Sequence, residues 1–284
     1  MRKVEFNYLI KKFDCFIFDQ WGVLHDGKFK FPFVDKTLLS LKSKTTIILS
    51  NTSQNLEETI FQTLNKLNIK KEYFNKIVTS GHYLEYISKS KNKKYLIFKK
   101  ILKKKKCLVI SNGKKSKIIE NLGLQKTKFE NAKFILAMSI KPNLNLKPIK
   151  RKLDKLKKKK LVMICTNPDQ NVFDGGKKKF SYQVGVLANY YQKIGGKVLY
   201  VGKPFVDIYR YAIKNYNKKK NKIIMIGDSV NTDINGANKI GIKSALVLDG
   251  FKKNEFKKFN KKRIGQALKI LDSKPDYIIK NISI

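Results

Sequence analysis

Short apolar runs alternate with amphipathic stretches along the whole chain. The runs are 15–18, 46–49, 95–98, 107–110, 134–138, 161–165, 198–201, 223–226 and 245–248. Each is bounded by polar or turn-forming residues, and a continuous apolar run of that length suits a parallel strand buried on both faces. Between the runs lie helical patterns. Leu56, Ile60, Leu64 and Leu67 recur at i, i+4, i+8 and i+11, with Ser53 as the expected N-cap. Pro204 opens another helix, with Ile208, Tyr211 and Ala212 on one face. Thr232 to Ile240 reads as a short helix stopped by Gly241. The alternation predicts an α/β fold, a doubly wound parallel sheet of Rossmann-like type.

Four of the runs end in groups that carry chemistry. Cys15-Phe16-Ile17-Phe18 ends in Asp19, and Thr46-Ile47-Ile48-Leu49 in Ser50-Asn51-Thr52. Val198-Leu199-Tyr200-Val201 ends in Gly202-Lys203-Pro204. Ile223-Ile224-Met225-Ile226 ends in Gly227-Asp228-Ser229, with Asp233 five residues beyond Asp228. Open α/β sheets bind ligands beyond the carboxyl ends of their strands. If the four strands are parallel neighbours, one crevice receives carboxylates, a hydroxyl, an amide and an ammonium. Carboxylates hold Mg²⁺, lysine and hydroxyl groups neutralise phosphate oxygens, and a carboxylate beside them can attack phosphorus. Taken singly, each motif reads as well as a cap or a turn.

Composition narrows the picture. A chain of 284 residues, 42% of them hydrophobic, can bury one large core or two modest ones. No apolar stretch approaches the roughly 18–20 residues that span a bilayer, and the N-terminal residues Met1 to Phe6 lack an apolar signal region. A cytoplasmic protein with no membrane partner is expected. The cysteines, Cys15, Cys107 and Cys165, lie in apolar runs and are expected as buried free thiols. The net charge of +42 invites a basic nucleic-acid-binding protein as an alternative. Arginine, however, occupies only positions 2, 151, 210 and 263, so 59 of the 63 basic residues are lysine. Base readout and phosphate forks favour arginine, so no specific nucleic-acid partner is expected.

The order Asp19, Ser50, Lys203, Asp228–Asp233 resembles that of the haloacid dehalogenase (HAD) superfamily. Phe18-Asp19-Gln20-Trp21-Gly22-Val23-Leu24 is similar to its first motif, Ser50-Asn51 to its second, and Lys203 within Val201-Gly202-Lys203-Pro204 to its third. Gly227-Asp228-Ser229-Val230-Asn231-Thr232-Asp233-Ile234 is similar to its fourth. Thr166-Asn167-Pro168-Asp169 and Thr232-Asp233-Ile234-Asn235-Gly236-Ala237 resemble subfamily IIA, the nitrophenylphosphatase and pyridoxal-phosphatase-like branch.

The resemblance implies a core domain of residues 1–79 and 196–284, with a cap domain of residues 80–195 inserted between. It implies a Mg²⁺-dependent phosphohydrolase that acts on a small phosphorylated metabolite through an aspartyl-phosphate intermediate. Asp19 is then nucleophile and metal ligand, the backbone carbonyl of Trp21 and the Asp228 carboxylate are further ligands, and Asp233 holds the metal's water shell and the loop. Ser50 and Lys203 are expected to bind the transferring phosphoryl group. Asn51, Thr52, Ser229 and the cap residues Asn167 and Asp169 are expected around the substrate. The cap also offers a surface through which copies could form a homo-oligomer.

The departure from the family pattern is Trp21, where its phosphatases carry an aspartate that protonates the leaving group. An indole cannot do so. Activity confined to good leaving groups, or a phosphometabolite sensor with little turnover, follows as an alternative. His25 on the same loop could supply the proton, whereas a turn at Asp26-Gly27 would instead leave His25 facing solvent. His82 reads as an ordinary hinge or helix-start residue.

Overall fold

The computed structural model describes residues 1–113, 116–142, 144–174, 179–216, 219–249 and 273–284. Two parallel sheets organise them. The larger has the order β1 (Arg2–Lys3), β14 (Tyr277–Ile279), β13 (Lys243–Val247), β12 (Ile223–Gly227), β2 (Cys15–Phe18), β3 (Thr45–Ser50) and β4 (Lys76–Thr79). The second has the order β11 (Lys197–Tyr200), β8 (Val162–Cys165), β7 (Phe134–Ala137), β5 (Lys106–Ile110) and β6 (Gln125–Lys126). A two-stranded antiparallel ribbon, β9 (Asn171–Asp174) with β10 (Lys179–Tyr182), follows β8.

The central strands are apolar on both faces because both faces are covered. On one face of the larger sheet, Phe16 and Phe18 pack with Phe6, Leu9, Leu24 and Leu38. On the other, Cys15, Ile17, Ile47, Leu49 and Met225 join a core that continues through Leu84 and Ile87 to Cys107, Phe134 and Ile164 of the second sheet. The helix Ser80–Lys89 directly follows β4 and carries this shared core between the sheets. His82 sits in its first turn, with its backbone N–H on the Thr79 side chain that caps the helix.

Several expectations are corrected. Residues 95–98 are helical, within the turn Lys93–Tyr95 and the helix Leu96–Leu102, because Tyr95, Ile101 and Leu102 share one buried face. The helix expected to start at Ser53 is capped by Asn55, which forms a reciprocal capping box with Glu58. Ser53 Oγ is engaged instead with the Met138 carbonyl (2.6 Å) and Thr166 Oγ1 (2.7 Å). That helix also changes winding: Leu56–Thr59 is α-helical, Ile60–Leu64 is wound as a π-helix and Asn65–Leu67 as a 3₁₀ turn. The strand before Lys203 is not a neighbour of the other three. β11 pairs in parallel with β8, with Leu199 opposite Ile164, so the second sheet runs past residue 195.

The three cysteines are buried and free. No helix among the described residues is long and apolar enough to cross a membrane.

Candidate active site

β2 lies between β12 and β3, with Phe18 opposite Ile226 and Ile48. This register brings Asp19, Asp228 and Ser50 to one edge at the centre of the sheet. Asp233 returns to the same point through the turn Val230–Ile234. One carboxylate oxygen from each of Asp19, Asp228 and Asp233 lies within 4.8 Å of the others. Asp19 Oδ1 accepts from the Gln20 N–H (2.8 Å), and Asp233 Oδ2 from the Ser229 N–H (3.1 Å).

Lys203 arrives from the other sheet. Its Nζ lies 2.8 Å from Asp19 Oδ1 and 2.7 Å from Asp233 Oδ1, and the side chain is almost wholly buried. Its backbone is fixed by Asn51, whose Oδ1 accepts from the Lys203 N–H (2.7 Å) and whose Nδ2 donates to the Lys203 carbonyl (3.1 Å). Gly202 permits this approach. Its φ is +134°, and a Cβ there would stand 2.5 Å from Asn51 Oδ1 and from Ser80 Oγ.

Burial alone would lower the Lys203 pKa, but Asp19, Asp233 and Asp169 outweigh it and hold the ammonium above its ordinary value. Burial raises Asp233, with Lys203 pulling against it and Asp19 pushing with it. Three carboxylates thus face one ammonium. Carboxylates outnumbering the ammonium and an all-oxygen donor set suit a hard divalent cation.

Of these groups, Asp19 opens onto a cleft of about 710 Å³ between the two sheets. Asp19, Trp21, His25, Ser50, Asn51, Thr52, Asn167 and Asp169 line it, and Lys203 and Asp233 reach it through their contacts with Asp19 and with each other. Ser50 Oγ accepts from the Thr52 N–H (3.4 Å), and Thr52 Oγ1 from the Gln54 N–H (3.3 Å). Asp169 comes from the loop after β8, and its Oδ1 accepts from Asn51 Nδ2 (2.9 Å). Asn167 bridges to Gln183, Nδ2 to Oε1, at 3.2 Å.

His25 does not face solvent. It is 2% exposed, its Nδ1 accepts from the Gly27 N–H (3.0 Å), and its Nε2 is buried with no protein partner. Burial pushes its pKa down to about 4, with Asp26 opposing, so the imidazole is neutral at pH 7. It packs edge-on against Trp21, ring centroids 5.4 Å apart. The indole in turn lies over Gly27, which has φ +93° and leaves only 2.2 Å between a built Cβ and the ring. Gly27→Ala is therefore expected to cost about 2 kcal/mol or more and to displace the indole. Trp21 is the single tryptophan, so its emission spectrum recorded alongside a thermal melt checks this. An unchanged spectrum and melt would mean the indole does not rest there.

Sequence reasoning passed over Gln20, a buried residue on the cleft wall whose Nε2 has no protein partner. It also passed over Ser111, Asn112 and Ser139, which line the far wall. The signal was present, since Ser111 and Asn112 directly follow β5 and Ser139 lies two residues beyond β7.

A family model of haloacid dehalogenase-like hydrolases matches residues 13–241. The 4-nitrophenylphosphatase of Schizosaccharomyces pombe is 26% identical over 279 residues, which covers 88% of this chain and 89% of that protein. Ribonucleotide monophosphatase NagD of Escherichia coli is 34% identical over 88 residues, 31% of this chain and 33% of its own. Among solved structures, a haloacid dehalogenase-like hydrolase from Brucella suis superposes with a TM-score of 0.78 at 21% identity, covering 99% of each chain. With a doubly wound core and the site residues spread over the matched span, the chain belongs to the haloacid dehalogenase-like hydrolases.

Proposed function

We propose that the protein is a Mg²⁺-dependent phosphohydrolase that acts on a small phosphorylated metabolite through an aspartyl-phosphate on Asp19. The observation that carries this is the Asp19 carboxylate, exposed to a cleft and held 2.8 Å from a buried ammonium beside two further carboxylates. An oxygen of Asp19 attacks phosphorus, while Lys203 and the Ser50 hydroxyl draw the phosphoryl oxygens towards the floor. Asp19, Asp228 and the Trp21 carbonyl would hold Mg²⁺, with Asp233 fixing the loop through its bond to the Ser229 N–H. Bound there, the ion would neutralise charge on the transferring phosphoryl group. The phosphatase names of the relatives above support the reaction class.

Residues 80–195 serve in this reading as a cap that selects the substrate. The latches between Ser53 and Met138 and between Asn51 and Asp169, and the polar far wall of the cleft, support it. The rival reading, a phosphate-binding sensor, rests on Trp21 alone.

A phosphate-release screen over sugar phosphates, nucleotides and pyridoxal phosphate separates the two. Release in Mg²⁺ that falls by about 10²-fold or more in EDTA is expected. Binding of phosphate and Mg²⁺ with no release from any ester would establish the sensor instead.

A further inference from the structure

Transfer of a phosphoryl group from an alkyl ester to Asp19 needs a proton for the departing oxygen, and Trp21 has none to give. The titratable groups among the described cleft residues are few. The Glu58 oxygens are engaged as backbone acceptors, Oε2 from Asn55 N–H (3.1 Å) and Oε1 from Lys117 N–H (3.0 Å). Lys28 and Lys66 are exposed at the rim. His25 is enclosed, with Nδ1 already used. Asp169 remains, and it reaches the cleft from the sheet opposite Asp19.

We infer that Asp169 is the acid–base residue of this site, taking the place that Trp21 leaves empty. The inference rests on the phosphohydrolase reading. In the first step an Asp19 oxygen bonds to phosphorus as the ester P–O bond breaks. The departing oxygen takes the proton of the Asp169 carboxyl and leaves as an alcohol. In the second step water bonds to phosphorus through its oxygen and gives a proton to the Asp169 carboxylate. The Asp19–phosphorus bond breaks, releasing inorganic phosphate and restoring both side chains.

The carboxyl is held for such a role. Asn51 Nδ2 occupies its Oδ1 at 2.9 Å and leaves Oδ2 for the proton. The same amide grips the Lys203 backbone, so Asp169 is tied to the turn that sends Lys203 Nζ to Asp19. The loop is fixed behind as well. Asp169 N–H donates to Asn167 Oδ1 (3.1 Å), Thr166 Oγ1 meets Ser53 Oγ (2.7 Å), and a Cβ on Gly185 would stand 2.3–2.4 Å from the Pro168 and Asp169 carbonyl oxygens.

Burial raises Asp169 to about 6, with Lys203 and Asn51 pulling down and Asp19 pushing up. Cys165 and Tyr209 also face it, and burial raises both so that they are neutral at pH 7. An acid near 6 keeps protons to give and, once spent, is a usable base.

The test compares wild type with Asp169→Asn and Asp169→Glu, in Mg²⁺, on glycerol phosphate and 4-nitrophenyl phosphate. Asparagine keeps the bond to Asn51 and removes the proton. The expected result is a fall of about 10²–10⁴-fold in kcat/KM on the alkyl ester. On the nitrophenyl ester, whose leaving group needs no proton, the fall is about tenfold or less. That ester should also give a burst of nitrophenolate followed by slow turnover, because phosphorylated Asp19 lacks its base. The wild-type to Asn ratio on glycerol phosphate should shrink as pH rises through about 6, and the substrate's own ionisation cancels in it. Asp169→Glu should recover part of the alkyl-ester activity. Equal losses on both esters without a burst, or a selective alkyl-ester loss in His25→Ala instead, would overturn the role of Asp169 and leave the phosphohydrolase standing. A wild-type protein that releases phosphate from neither ester would overturn both.

Discussion

Asp19→Asn is expected to lower phosphate release by at least about 10⁴-fold, while the melting temperature stays within about 4 °C of wild type. The amide is nearly isosteric. Its oxygen can still accept from the Gln20 N–H and from Lys203 Nζ, both now at 2.8 Å from Oδ1. Lys203 also keeps its second partner, Asp233 Oδ1 at 2.7 Å. What disappears is the charge that makes the group a nucleophile and a cation ligand. Fewer like charges among the three carboxylates offset the weakened ion pair, so the fold is spared. Phosphate release and a thermal melt on the same sample check both halves. Near-normal turnover would place the nucleophile elsewhere.

Much of this site was legible in the chain because strand ends are local features. Asp19 and Ser50 follow an apolar run directly and Asp228 follows one after Gly227, and the register of β12, β2 and β3 makes those runs neighbours. Lys203 was legible as a residue but not in its sheet. Val198-Leu199-Tyr200-Val201 looks like the other runs, and nothing local says that it pairs with β8. β4, Lys76–Thr79, was missed because its short apolar pair Ile77-Val78 sits between Lys76 and Thr79. Residues 95–98 misled in the opposite sense, since four apolar residues in a row fit a strand or a buried helix equally.

The burial of His25 was illegible for a different reason. Asp26-Gly27 does turn the chain, with Asp26 Oδ1 accepting from the N–H groups of Lys28 and Phe29. The turn folds back over Trp21 and seals the imidazole in, a contact that depends on Gly27 having no side chain. The importance of Asn51 was hidden likewise. Its partners Asp169 and Lys203 are 118 and 152 residues away.

Lys203→Met should abolish activity and lower stability by about 3–5 kcal/mol, because it strips the counter-charge from a buried cluster. Methionine fills much of the space of the lysine stem, so the loss reports charge rather than a cavity. With Lys203 present, its raised pKa means the folded state binds that proton more tightly than the unfolded chain. Its contribution is fully present below the ordinary value of 10.5 and is lost as pH rises past it through the higher folded value. The variant should behave in the opposite way in acid. Without the ammonium, nothing opposes the burial and the Asp19 charge that push Asp233 towards its protonated form. The gap to wild type in urea melts should therefore narrow as pH falls from 9 to 5. Mg²⁺ should narrow it too, and NaCl at equal ionic strength far less, since mobile salt screens a buried cluster poorly. A variant as stable as wild type at pH 7 would mean that the carboxylates do not depend on Lys203 for their charge balance. Equal rescue by NaCl and Mg²⁺ would mean that the cluster screens like a surface patch and does not hold the ion.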